Sequence, residues 1–381
     1  MNRRSLVLLG LGGLALLGGL TGALVLLGIG ASGATIHLAA AHGLLMTLGF
    51  LGTMISLERA VALGRGWALG APLASGLGAL ALLLGAAPAV AGVLLLVGGL
   101  ILCAMYVRFE RIQPVLHIHV QAVAAIAWPV AVLVWLSARP VSDVVPWLTA
   151  FLVLTIAGER LELSRLGELT GRAQRTFAGV AAVFVIGVVA TVWLPDAGAR
   201  ITGIGLVLLA AWLASHDLAR RTVRSHGVTR YIATCLLIGY AWLAFGGVTW
   251  VIGGGGGGVP LYDARLHAIF LGFVISMVFG HAPVIIPAVL RVPLPYHPRF
   301  YVHLALLQAG LLIRIVGGDL LGARELWQLG GVLNVVAVLL FVASSALAVA
   351  GGLRTRHRSP AAWRVPAVAE SASKGDGSGV Q

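Results

Sequence analysis

Eleven histidines stand in a chain with few other polar side chains, and eight of them lie in or beside long apolar runs. Neutral imidazole is a good ligand for haem iron and for copper. An ionisable side chain inside a bilayer is costly, so each one suggests a function. His267 and His281 are 14 residues apart. At about 100° and 1.5 Å per residue they point within about 40° of each other and lie about 21 Å apart along one helix. Two imidazoles on one helix face, near opposite sides of a membrane, suit two stacked haems. Each haem would take its second ligand from another helix. His42 is the natural partner of His267, and His117, His119 or His303 would complete a site at His281.

The histidine pairs narrow the choice. His117-Ile118-His119 sets two rings about 200° apart on a helix, so they serve different sites or one faces the headgroups. His37 and His42 are about 140° apart, so one of them faces the bundle. Gly43, directly after His42, leaves room for a flat macrocycle and favours His42. An interfacial histidine bonded to backbone or water is the plainer reading of either.

Arg314 is the lone strong charge within its apolar run and needs an anion, either Asp319 or a haem propionate. Glu58-Arg59 and Glu159-Arg160 close two apolar runs. They read as structural ion pairs or as a proton route beside His281. Pro283 and Pro287 follow His281 and should kink its helix. His216, Asp217 and His226 read as solvated. Cys103 and Cys235 both lie in apolar runs, which excludes a disulfide framework and a cysteine metal site. No Ser–His–Asp order, phosphate loop or HExxH is present, which removes hydrolase and ATPase chemistry.

These residues must be positioned by membrane helices. The chain has 381 residues, 59% hydrophobic and 10% charged, where a soluble domain carries about 25% charged residues. A spanning helix needs about 20 apolar residues. Twelve such runs are read at 6–29, 36–57, 67–86, 88–107, 115–137, 145–163, 176–194, 199–215, 230–252, 263–289, 300–316 and 326–352. The first is too long for a signal-peptide core of about 7–15 residues.

The net charge of +13 does not mark a nucleic-acid binder, because the arginines sit in short clusters between the runs. With the N-terminus inside, the outer loops hold only Arg139, Arg200, Arg265 and Arg324. Arg314 lies within a run, and every other basic residue falls on the inner side. The expectation is an all-α multi-pass protein of a bacterial inner membrane, surrounded by lipid, with both termini cytoplasmic. Residues 1–352 form the transmembrane domain and 353–381 a disordered tail. Gly253–Gly258 reads as a flexible outer connection.

An internal repeat supports three four-helix units. Phe50 precedes Glu58, Phe151 precedes Glu159 and Phe273 precedes His281, each by eight residues and on runs 2, 6 and 10.

His42-Gly43-Leu44-Leu45-Met46 resembles the second helix of heme-copper oxidase subunit I, where a His followed by Gly ligates the low-spin haem. That resemblance implies three four-helix arcs with the key helices at positions 2, 6 and 10. Run 6 here has no histidine, so the oxidases' copper-binding His-Pro-Glu is missing, and run 7 lacks their His pair. The chain is more similar to the NnrS family, a twelve-helix group associated with haem, copper and nitric oxide metabolism. His42…Gly49-Phe50-Leu51 and Leu266-His267-Ala268…Gly272-Phe273…Met277 carry that similarity. The family's Pro-Asn-Trp-Thr-Gly is replaced by Ser56-Leu57-Glu58-Arg59, and its Gly-His-Thr-Gly-Arg segment by Gly280-His281-Ala282-Pro283.

The resulting expectation is an oxidoreductase-like haem protein. It binds b-type haem between His42 and His267, with a second haem or copper near His281. It handles nitric oxide or exchanges electrons with a membrane partner such as quinol. A twelve-helix permease and an assembly factor for a respiratory complex are the alternatives.

Overall fold

A computed structural model describes residues 3–164, 169–256 and 258–358. It contains twelve helices long and apolar enough to cross a membrane. The first six are α1 (Arg4–Leu26), α2 (Ile36–Leu63), α3 (Gly66–Leu83), α4 (Pro88–Ile112), α5 (Leu116–Leu136) and α6 (Val141–Ser164). The second six are α7 (Gly171–Ala190), α8 (Pro195–His216), α9 (Gly227–Gly253), α10 (Gly258–Leu290), α11 (Phe300–Leu320) and α12 (Arg324–Gly352). No strand occurs among the described residues. A helix satisfies its own backbone, which is what a hydrocarbon environment demands.

The helix of α12 continues past residue 352 to Arg358. Residues 359–381 of the expected tail lie outside the described residues. Proline opens α4 and α8, where its missing N–H costs nothing. Gly64 ends α2 at φ +65°, a left-handed turn that favours glycine.

Consecutive helices pack against one another, and α12 returns to α1, where the Gln328 amide donates to the Leu27 carbonyl at 2.8 Å. Small residues set the closest approaches. A methyl group added to Gly187 or Gly205 would land inside the backbone of the partner helix, so α7 and α8 meet through glycine. Val7, Leu100, Ile126, Ile186 and Leu347 face outward, as a lipid-facing surface requires.

The inner helices are those of the repeat. α10 packs against both α2 and α6, and Arg59 joins α2 to α6. Phe50, Phe151 and Phe273 are all buried.

Among the described residues three helices contain a π-helical segment. Leu45–Gly52 in α2, Ala268–Ile275 in α10 and Ile313–Leu320 in α11 are π-helical. A π segment acts like about one inserted residue and so turns the helix beyond it by about 100°. The segment in α10 lies between His267 and His281. It breaks the common face expected from their spacing.

Candidate functional site

Helix α1 carries Gly19 and Gly22, which let α2 approach closely, and Gly18, which faces Leu83 of α3. A Cβ on Gly22 would overlap the Leu38 carbonyl and sit 3.2 Å from the His42 Cβ. The approach brings the Gly19 carbonyl within 2.7 Å of His42 Nδ1. A carbonyl only accepts, so Nδ1 carries the proton and Nε2 keeps its lone pair. In α10, His267 Nδ1 donates to the Asp263 carbonyl one turn earlier at 2.9 Å, with Asp263 Oδ1 3.3 Å away. Among the described residues no hydrogen bond engages Nε2 of either ring.

Both imidazoles line one cavity of about 360 Å³. Its size falls in the range of roughly 300–1,000 Å³ typical of ligand sites. Parts of all three π segments line it, through Met46, Phe270 and Arg314 among others. Such segments gather at functional sites. The walls are mostly aliphatic and aromatic. Gly43 lies on the wall, and a Cβ added there would meet no atom within 4 Å.

Arg314 supplies charge at the cavity edge. Its Nε and Nη2 each donate to Asp263 at 3.0 Å, the Trp327 indole donates to the same carboxylate at 3.0 Å, and the guanidinium lies 4.9 Å from the Trp327 ring centre. The expected protein partner was Asp319; the structure pairs Arg314 with Asp263. Asp319 Oδ2 is buried without a hydrogen bond. Asp263 escaped the sequence reading, although its i, i+4 spacing to His267 was a usable signal. Nothing in the sequence marked Trp327.

The structure places the remaining candidates elsewhere. His37 Nε2 is bonded to the Leu83 carbonyl at 3.0 Å and does not line the cavity. His117 is buried, 3.9 Å from Glu162, and His119 is exposed, 3.0 Å from Glu110. His303 is buried among Phe279, Phe300 and Phe341, with Nε2 3.0 Å from the Tyr231 hydroxyl. His281 Nδ1 donates to the Met277 carbonyl at 2.6 Å, and its Nε2 is buried without a partner. The charged groups acting on His281 are Arg160, Glu58 and Asp217. Among the described residues, no three His, Cys, Asp or Glu side chains gather as a metal-holding group.

The carboxylates also regroup. Arg59 bridges Glu58 at 2.9 Å and Glu159 at 2.7 Å. Arg160 instead makes a two-pronged pair with Asp217 at 2.7 and 2.9 Å. Asp217 is 3% exposed, not solvated as expected, and also accepts from the Tyr240 hydroxyl at 2.6 Å and the Ala219 N–H at 2.7 Å.

Fold and cavity together define a multi-pass α-helical membrane protein with a histidine-lined chamber between its helices. The chain belongs to the family described as Domain of unknown function (DUF8744), whose model matches residues 4–350. No curated protein matches it.

Proposed function

We propose that the chamber holds a b-type haem, which His42 and His267 would ligate, and that the protein handles nitric oxide or passes electrons in a bacterial inner membrane. The observation that carries this reading is the pairing of two imidazoles from distant helices on one apolar cavity, each with Nδ1 fixed and Nε2 free. Metal-ligating histidines usually donate their other ring N–H to a carbonyl or carboxylate, which fixes orientation and raises basicity. The residues present suit the group. The Gly43 wall offers open space to a flat ring, the aliphatic lining excludes water, and Arg314 stands ready near a propionate. The resemblance to the NnrS family supports the same reading.

When bound, haem iron supplies one-electron exchange. The protein's part is to hold both rings in one tautomer, to keep the cavity dry, and to balance charge through Arg314 and Asp263. Glu58, Arg59 and Glu159 form the proposed proton entry on the side of the N-terminus, which the arginine distribution assigns to the cytoplasm. A copper ion or second haem at His281 is a further part of the proposal, resting on an Nδ1 bonded to the Met277 carbonyl and a buried Nε2 without a hydrogen-bond partner.

The test is the absorption spectrum of the protein purified in mild detergent from haem-replete cells. A sharp reduced α-band, lost in His42→Ala and in His267→Ala, is expected. A colourless wild-type protein sinks the cofactor reading and directs work to transport assays.

A further inference from the structure

We propose a second, independent site: an anion-binding pocket built on Arg265, at the end of the bundle opposite the N-terminus. It stands whether or not the histidine chamber binds haem. Arg265 is 3% exposed, and a guanidinium keeps its charge in any protein environment. A buried cation left unpaired is strongly destabilising. The other arginines withdrawn from solvent all have carboxylates: Arg59 has two, Arg160 has Asp217 and Arg314 has Asp263. Arg265 has no carboxylate partner among the described residues.

The groups in direct contact with the Arg265 guanidinium are carbonyls and aromatic rings. Nη1 donates to the Gly254 carbonyl at 2.8 Å and Nη2 to the Gly256 carbonyl at 3.2 Å. The Trp250 and Tyr262 ring centres lie 5.5 and 4.9 Å from the guanidinium carbon. Nε is buried and has no acceptor. Carbonyl dipoles and π faces orient the cation without neutralising it. Two of its five N–H groups are used and the Nε–H is buried, so one N–H on each terminal nitrogen remains to donate.

Arg265 lines a cavity of about 260 Å³ together with Ser137, Ser142, Thr191, Arg139 and Asp143. Arg139 and Asp143 pair with each other at 2.8 Å and cancel. Arg200 and Asp196, on the same face, pair at 2.9 Å and also cancel. One positive charge, that of Arg265, is left facing the cavity; the Ser137 and Thr191 hydroxyls donate to the Val134 and Val188 carbonyls and the Ser142 hydroxyl to Asp143. The N–H donors of the guanidinium match a small oxyanion, a carboxylate or a phosphate. The pocket is lined by residues at the ends of candidate spanning helices, so the phosphate belongs either to solution or to a lipid headgroup.

Trp250 provides the readout. The full-length protein in lipid-free dodecyl maltoside is titrated with sodium phosphate and, separately, sodium acetate at constant ionic strength, following tryptophan fluorescence and the unfolding midpoint. The same midpoint is read in phosphatidylglycerol nanodiscs. A saturable response to a free anion, weakened at least tenfold in Arg265→Gln and unchanged in the surface variant Arg324→Gln, supports a solution ligand. A higher midpoint of wild type over Arg265→Gln seen only in the nanodiscs supports a headgroup. Arg265→Lys keeps the charge but loses the fork, and covers the case of an unfolded glutamine variant; several-fold weaker binding is expected. No saturable response and no nanodisc difference, or binding undiminished in either Arg265 variant, overturns the proposal.

Discussion

Asp263 holds Arg314 and His267 at once: its carboxylate takes two hydrogen bonds from the guanidinium at 3.0 Å, and its backbone carbonyl takes the imidazole proton at 2.9 Å. The charge balance of the chamber and the orientation of one proposed ligand therefore meet in one residue. Asp263→Asn leaves Arg314 buried beside a neutral partner, a loss of about 3–5 kcal/mol for a broken buried pair. The double variant Asp263→Asn/Arg314→Gln should recover much of that loss. Thermal unfolding in detergent measures the cycle, and strict additivity of the two single effects would contradict the pairing.

Gly43 and Gly22 should behave in opposite ways. Gly43 borders open space, so Gly43→Leu fills the cavity without disturbing the fold. Wild-type unfolding of the apo protein with a loss of the haem band is the expected result. An undiminished haem band would place the cofactor elsewhere.

Gly22→Ala pushes against the Leu38 carbonyl and parts α1 from α2. Overpacking of this kind costs about 1–3 kcal/mol. It also lengthens the bond from His42 to the Gly19 carbonyl, so a lowered unfolding midpoint should accompany weaker haem retention. A variant as stable as wild type would show that α1 and α2 have room to spare.

Arg59 has two carboxylates where one would neutralise it. Glu58→Gln and Glu159→Gln should each cost about 1 kcal/mol or less, the scale of a partly screened pair. The double variant strands Arg59 and should cost about 3–5 kcal/mol, as for a broken buried pair. Unfolding midpoints of the three proteins separate this from two independent pairs. If the cluster admits protons, both single variants should also slow proton uptake coupled to haem reduction in reconstituted vesicles.

The twelve helices were legible because a bilayer forces apolar runs of fixed length, and arginine placement checks their count. That His42 and His267 line one cavity was legible because both lie at a similar depth on helices of the repeat. The phase of His281 was not. A π segment leaves no mark on hydropathy, and in α10 one such segment undoes the angular argument that joined His281 to His267. Charge partners were the other gap. Arg160 adjoins Glu159 in sequence but pairs with Asp217, while Glu159 is taken by Arg59 from another helix. Asp217 looked solvated as it ends α8 beside exposed His216, whereas Arg160, Tyr240 and the Ala219 N–H enclose it.

The contact of α12 with α1, fastened by Gln328 and Leu27, makes the order of helices cyclic. An even number of crossings also returns the chain to the face from which it started. Neighbour relations around such a ring do not depend on which helix is synthesised first. A circularly permuted chain, with α12 linked to α1 and new ends placed between α6 and α7, retains every interhelical contact of the bundle. The translocation machinery would meet the same helices in a different order and be asked to build the same ring.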